Sequence, residues 1–200
     1  MAAIEGADAR EIPPWAEDRL VIFPGAVDAA TCGRIVEAGR ALPLGEGPVY
    51  NEMTGERVLD PDVRLTSVAW FKARDWVHAL MSSFAERVNA AWDFAIDDSD
   101  PMQFAVYRPN DFFEWHKDML RVRRTSIRKI SVVLQLDPPQ AYRGGSLEFL
   151  DNDYGVFVPS TFAAQGSVAV FSTLLKHRVT PIKAGERRSL TAWFKGPAFR

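Results

Sequence analysis

The chain has 200 residues, a net charge of −2 and 47% apolar side chains, with six Trp and thirteen Phe to fill a core. That suffices for one domain, and it argues against extended disorder and against bulk attraction to nucleic acid or an anionic membrane. Cys32 is the only cysteine, so no internal disulfide forms, which fits a reducing compartment.

Residues 1–17 read as a loose lead-in. They lack the basic start and apolar run of a signal peptide, and no stretch reaches the roughly 18 apolar residues of a membrane span. The expectation is a cytoplasmic protein without membrane or nucleic-acid partners. Arg19-Leu-Val-Ile-Phe23 reads as a strand stopped by Pro24-Gly25, and Asp28 caps a short helix running to about Ala41. Residues 43–62 are rich in Gly, Pro and charge and suggest a mobile loop, a candidate lid. Val63 to Phe71 is β-branched and aromatic and reads as a strand. From Asp75 to Trp92 the chain is helical, with Trp76, Leu80, Phe84, Val88 and Trp92 as one apolar stripe. That phase leaves His78 facing solvent.

After Pro101 the character changes. Strands are expected near 102–108, 112–118, 127–136, 145–150, 155–158, 167–172, 175–181 and 187–195. The fold class is mainly β with N-terminal helices: a double-stranded β-helix, or jelly roll, with helices packed on one sheet. The chain reads as a single domain over 1–200, with an α-rich support region at 1–100 and a β-helix core at 101–197.

His116 and Asp118 lie two apart on an extended segment, so imidazole and carboxylate face the same way and Lys117 faces the other. His177 is the candidate third ligand. Two His and one carboxylate on one face of an octahedron mark non-haem Fe(II) oxygenases and leave three sites free. Arg187, Ser189, Thr191 and Trp193 share one face of the last strand. A guanidinium there suits bidentate binding of a carboxylate, and Ser189 adds a donor. Arg188 and Leu190 have the opposite parity.

These segments together resemble the prolyl-4-hydroxylase-like branch of the 2-oxoglutarate/Fe(II)-dependent dioxygenases. The resemblance rests on Tyr107, His116-Lys-Asp118, Gly144-Gly-Ser-Leu-Glu-Phe149, His177-Arg-Val-Thr-Pro181 and Gly185-Glu-Arg-Arg-Ser189, in that order. It implies that His116, Asp118 and His177 bind Fe(II) and are the catalytic centre. It implies that Arg187 holds the distal carboxylate of the co-substrate 2-oxoglutarate, assisted by Ser189 and Tyr107. O2 is the oxidant and ascorbate an optional reductant. The expected reaction is hydroxylation of an unactivated C–H bond with release of succinate and CO2. A protein or peptide side chain, prolyl first, is the expected substrate. The same chemistry on a free amino acid or small metabolite is the alternative, and a non-catalytic metal-binding jelly roll is a third reading. Phe113 stands where many members carry a second Tyr. Asp118 is present, unlike in related halogenases, where chloride takes the carboxylate's place.

Other residues are weaker candidates. Arg121, Arg123, Arg124, Arg128 and Lys129 form a basic run read as a solvated loop, or else as a clamp for an acidic partner. Gln103 shares the parity of Tyr107 and belongs to the core or to the groups behind the site. Arg64 and Trp70 lie toward the substrate entrance or serve structural roles. Leu147 and Phe149 form an apolar wall around the co-substrate.

Overall fold

The structure is a computed structural model that describes residues 5, 12–51, 56–72, 75–119, 121–123 and 126–198. Two antiparallel sheets face each other. The larger runs, edge to edge, through Leu20–Phe23, Val168–Ser172, Ser126–Gln135, Arg187–Pro197, Met102–Tyr107, Ser67–Phe71 and Gly45–Glu46. The smaller runs through Gly155–Phe157, Leu147–Asp151, Lys176–Val179, Phe112–His116 and Arg64–Leu65. This is the expected jelly roll, and the region before Pro101 contributes edge strands to both sheets as well as helices.

Two helices, Ala29–Arg40 and Trp76–Trp92, lie on the outer face of the larger sheet. Asp28 caps the first, its side chain accepting from the Thr31 N–H at 2.7 Å. Gly39 lets that helix approach closely: a Cβ there would sit 2.6 Å from the Phe104 ring. Cys32 is fully buried on the inner side of this helix, and its thiol leans toward the Val27 carbonyl. Asp75 caps the second helix, which ends at Asp93 in the left-handed conformation.

The second helix is rotated from its expected phase. Its buried residues are Val77, Met81, Phe84, Ala85 and Val88, whereas Trp76 is exposed. A strict four-residue repeat drifts by about 40° per step at roughly 100° per residue, so it cannot stay on one face for four turns. The rotation half-buries His78, whose Nε2 lies 2.7 Å from the Ser99 hydroxyl and whose Nδ1 lies 3.3 Å from that of Ser82. The expectation of a solvent-facing histidine is therefore corrected.

Residues 43–62 contain structure as well as turns. Val49–Asn51 pairs with Glu56–Val58 as a short hairpin, and Gly45–Glu46 joins the edge of the larger sheet. Residues 52–55 lie outside the described set. The basic run is not a uniformly solvated loop. Arg128 and Lys129 are buried, because Ser126–Gln135 is a central strand of the larger sheet. Arg128 Nε donates to Asp100 at 2.6 Å, and its guanidinium lies 4.1 Å from the Trp193 ring centre. Arg121–Arg123 is a short strand, while Arg124 and the side chains of Arg121 and Arg123 lie outside the described residues. No helix among the described residues is long and apolar enough to cross a membrane.

Candidate active site

Strand alternation divides the large sheet into two chemistries. Phe104, Val106, Ile130, Val132, Leu134, Leu190, Ala192 and Phe194 face the helices and form the larger apolar cluster. Their neighbours face the space between the sheets, and most of the polar ones are functional candidates.

Register brings the metal candidates together. His177 and His116 are directly opposed across the pairing of Lys176–Val179 with Phe112–His116. Asp118 lies just past the end of its strand but keeps the same side, while Lys117 is exposed. His116 Nε2 is 3.6 Å from Asp118 Oδ1, and His177 Nε2 is 3.5 Å from Asp118 Oδ2. One ligand atom from each of the three lies within 4.8 Å of the others. His116 Nδ1 lies 2.7 Å from the Glu114 carbonyl and His177 Nδ1 lies 3.0 Å from that of Leu175. A proton on each Nδ1 donates to that carbonyl and leaves both Nε2 lone pairs directed at the carboxylate.

The electrostatics agree. Burial and the neighbouring His116 push the His177 imidazole down to about 4, against the opposing pull of Asp118 and the Leu175 hydrogen bond. Burial alone would raise the Asp118 carboxyl, but His177, His116 and Arg128 outweigh it and hold it well below the usual carboxylate range. Two imidazoles and one carboxylate are a donor set that fits a divalent transition metal such as Fe(II).

Ser131 completes this arrangement, and the sequence did not single it out. Its hydroxyl donates to Asp118 Oδ2 at 2.7 Å from a fully buried position. The signal was a serine inside the apolar stretch 130–134, on the same parity as Val133 and Gln135.

The anion candidates lie on the adjoining strands. Arg187 is opposite Tyr107, Ser189 opposite Ala105, and Thr191 opposite Gln103. Arg187 is 1% exposed and is the largest fully buried side chain. Its guanidinium lies 5.7 Å from the Tyr107 ring centre, and its Nη1 has no hydrogen-bond partner among the described residues. A buried cation with an idle donor is suited to binding an anion. Gly145 makes room for it: with φ at +64°, a Cβ there would meet Ile182 Cδ1 at 2.3 Å and Arg187 Cδ at 3.0 Å. Arg188 points the other way and pairs with Asp137, as its parity requires. Leu147 lines the inner cavity beside these residues, whereas Phe149 packs behind it against the rings of Phe171 and His177.

His116, Asp118, His177, Tyr107, Arg187 and Ser189 thus line one inner cavity. A wider cavity of about 450 Å³ opens beside it, walled by the hairpin residues Tyr50 and Arg57 and by Trp70, Trp115 and Met119. Arg64 stands between the two. Its Nη2 donates to Gln103 Oε1 at 2.6 Å and its Nη1 to the Pro48 carbonyl at 3.2 Å. Its guanidinium lies over the Phe113 ring at 4.5 Å. Burial pushes its pKa down, opposed by Tyr107 and Asp118.

Known proteins share this architecture. Residues 102–195 match the model of the 2OG-Fe(II) oxygenase superfamily. Over 99 residues the chain is 33% identical to a PKHD-type hydroxylase of Shewanella sp. (strain ANA-3) and 35% identical to one of Shewanella oneidensis. Each alignment covers 48% of this chain and 42% of the relative, so the chain spans less than half the length of these relatives. A prolyl-4-hydroxylase of Pseudomonas putida superimposes with a TM-score of 0.67 at 21% identity, covering 92% of this chain and 95% of that one. The viral collagen prolyl hydroxylase of Paramecium bursaria Chlorella virus-1, solved with 2OG, gives 0.65 at 16% identity over 92% and 99% of the two chains. A Trichoplax adhaerens prolyl hydroxylase, solved with a hypoxia inducible factor peptide, gives 0.64 at 16% identity over 89% and 84%.

Proposed function

From the match of residues 102–195 to the model of the 2OG-Fe(II) oxygenase superfamily, we propose that the protein is an Fe(II)- and 2-oxoglutarate-dependent hydroxylase. In this reading His116, Asp118 and His177 hold the iron, and Arg187, Ser189 and Tyr107 hold the distal carboxylate of 2-oxoglutarate. The observation that carries it is the buried Arg187, with its partnerless Nη1, in the same inner cavity as the two histidines and Asp118. With both bound, iron supplies the capacity to couple O2 to 2-oxoglutarate, so that one oxygen atom hydroxylates a C–H bond and the other leaves in succinate, alongside CO2.

The chain's own residues set the stage for that chemistry. The carbonyls of Glu114 and Leu175 fix the histidine rings, and Ser131 fixes the carboxylate. Arg187 neutralises the co-substrate and orients it, while Leu147 and Val133 keep water from its flank. Phe113 stacks on the His116 ring at 3.5 Å and limits the ring's motion.

The substrate we propose is a prolyl residue of a peptide or protein, supported by the prolyl hydroxylases that share the fold. A small carboxylic acid, including a free amino acid, is a second reading, favoured by the size of the outer cavity and by the unneutralised Arg64 in its wall.

An anaerobic titration with Fe(II) and then 2-oxoglutarate tests the reaction class. A visible metal-to-ligand charge-transfer band is expected, absent in His116→Ala and needing far more 2-oxoglutarate in Arg187→Ala. Iron binding without the band would refute the co-substrate reading and return the protein to the metal-binding jelly rolls.

A further inference from the structure

Six residues line both the inner and the outer cavity: Arg64, Gln103, Phe113, His116, Asp118 and Trp193. Any substrate that reaches the metal ligands from the outer cavity passes these side chains. Two of them carry buried hydrogen-bond donors without partners, Arg64 Nε and Trp193 Nε1. Both residues are more than nine-tenths buried, at 7% and 6% exposure. Leaving such donors idle is costly, and a guanidinium costs more than an indole.

Arg64 also forms no ion pair among the described residues. Its described hydrogen-bond partners are the amide oxygen of Gln103, the carbonyl of Pro48 and the side chain of Tyr107, none of them a carboxylate. Asp118 acts on it electrostatically but is already engaged by His116, His177 and Ser131. The wall of the outer cavity repeats the imbalance. It carries Arg57, Arg64, Lys117 and Arg128 against Asp60 and Asp118, and of these cations Arg128 is matched by Asp100. A group entering from the outer cavity therefore meets two idle donors and an excess of positive charge beside the metal ligands.

The co-substrate does not answer this demand. Tyr107, Arg187 and Ser189 line the inner cavity and not the outer one, whereas Arg64 and Trp193 line both. One 2-oxoglutarate, bound by its keto-acid end to the metal and by its other carboxylate to Arg187, fills the inner cavity and leaves the outer-cavity side of Arg64 and Trp193 to another group.

We propose that Arg64 Nε, with Trp193 Nε1–H, anchors a carboxylate carried by the substrate itself and so determines which carbon is presented to the metal. This rests on the hydroxylase reading above. The chemistry is common to two sources: the α-carboxylate of a free amino acid, and an acidic side chain beside the target residue of a peptide.

Trp70, Trp115 and Trp193 line the outer cavity, so binding is read by tryptophan fluorescence. The protein is loaded anaerobically with Fe(II) and saturating 2-oxoglutarate. The probes are matched pairs: each proteinogenic amino acid against its carboxamide, and Pro-Glu-containing peptides against their Pro-Gln counterparts. At least one carboxylate is expected to bind at least about 10-fold more tightly than its amide, the low end for a charge-assisted hydrogen bond. Arg64→Gln should bring that ratio to near one, and Arg64→Lys should retain part of it. Because the ratio is taken within one protein, a general loss of folding or affinity cancels. A preference among free amino acids assigns the α-carboxylate, and a preference among peptides assigns the acidic side chain. A ratio near one for every pair in the unmodified protein overturns the proposal. So does a ratio that survives Arg64→Gln, or an Arg64→Gln effect confined to 2-oxoglutarate affinity. Oxygen is then admitted and 2-oxoglutarate consumption followed. Carboxylate preference without consumption leaves the anchor standing and sinks the hydroxylase reading, and consumption without preference does the reverse.

Discussion

The two faces of the larger sheet are built from the same strands and do opposite work. On the helix side, Phe104, Val132, Leu190 and Phe194 pack as an apolar layer under the two helices. One residue away in each strand, Gln103, Ser131, Ser189 and Trp193 face the space between the sheets, most of them polar and buried. The helix side is filled by apolar packing, with Trp92 Nε1 its one unpartnered buried polar atom among the described residues. The inner side holds a carboxylate between two histidines, a buried Arg187 with an idle Nη1 and a buried Arg64 with an idle Nε. The outer face carries the stability on which the inner face's unmet polar groups depend.

Substitutions on the two faces should therefore fail differently. The largest effect is expected at the proposed metal ligands. His177→Ala should abolish detectable Fe(II) binding by equilibrium titration while leaving the circular dichroism spectrum intact. Phe104→Ala should do the converse. Truncating this buried ring should cost about 3–5 kcal/mol in a urea melt, with iron affinity retained in the molecules that remain folded. Arg187→Ala should raise the 2-oxoglutarate KM about 10- to 100-fold, the worth of one charge-assisted hydrogen bond. Arg187→Met sharpens the point. It should lose the co-substrate as well, yet hold or raise the melting temperature, because an unmatched buried charge is exchanged for an apolar chain. Ser131→Ala should be milder, weakening iron binding about 10-fold by loosening Asp118.

A pH series separates the faces without mutation. The folded His177 stays neutral down to about pH 4, whereas an unfolded histidine takes up its proton near pH 6.5. Between those values the unfolded chain binds more protons, so the metal-free protein should lose stability as pH falls from about 6.5 to about 4. Asp118, whose pKa is depressed, contributes stability that is lost only at still lower pH. Calorimetry at pH 7 and pH 5 should show a drop in melting temperature, and the drop should shrink in His177→Gln.

Much of the inner face was legible in the sequence because strand parity is local. His116 and Asp118, like Arg187 and Ser189, needed only a period of two. The order of the segments supplied the rest through family resemblance. What parity cannot give is register between distant strands. The hydrogen bond from Ser131 to Asp118 and the placement of Arg64 against Phe113 are set by pairings across 13 and 49 positions. Arg128 and Lys129 misled for a related reason: charge suggested solvent, while Asp100, far off in sequence, supplied Arg128 with a buried counter-ion. The helix Trp76–Trp92 was found but turned, because an exact four-residue repeat matched the composition better than the contact surface.

The lone cysteine under the first helix offers a practical return. Burial, with Asp28 and Asp137 adding to it, pushes the Cys32 thiol up to about 11. At neutral pH it is neither ionised nor accessible, and so is a poor target for alkylation or for stray oxidants. Reaction with a thiol reagent must wait until that helix lifts from the sheet. The labelling rate of this single sulfur, followed by mass, thus times the opening of the helix layer, and comparing it with and without metal shows how far events at the site are felt on the far side of the sheet.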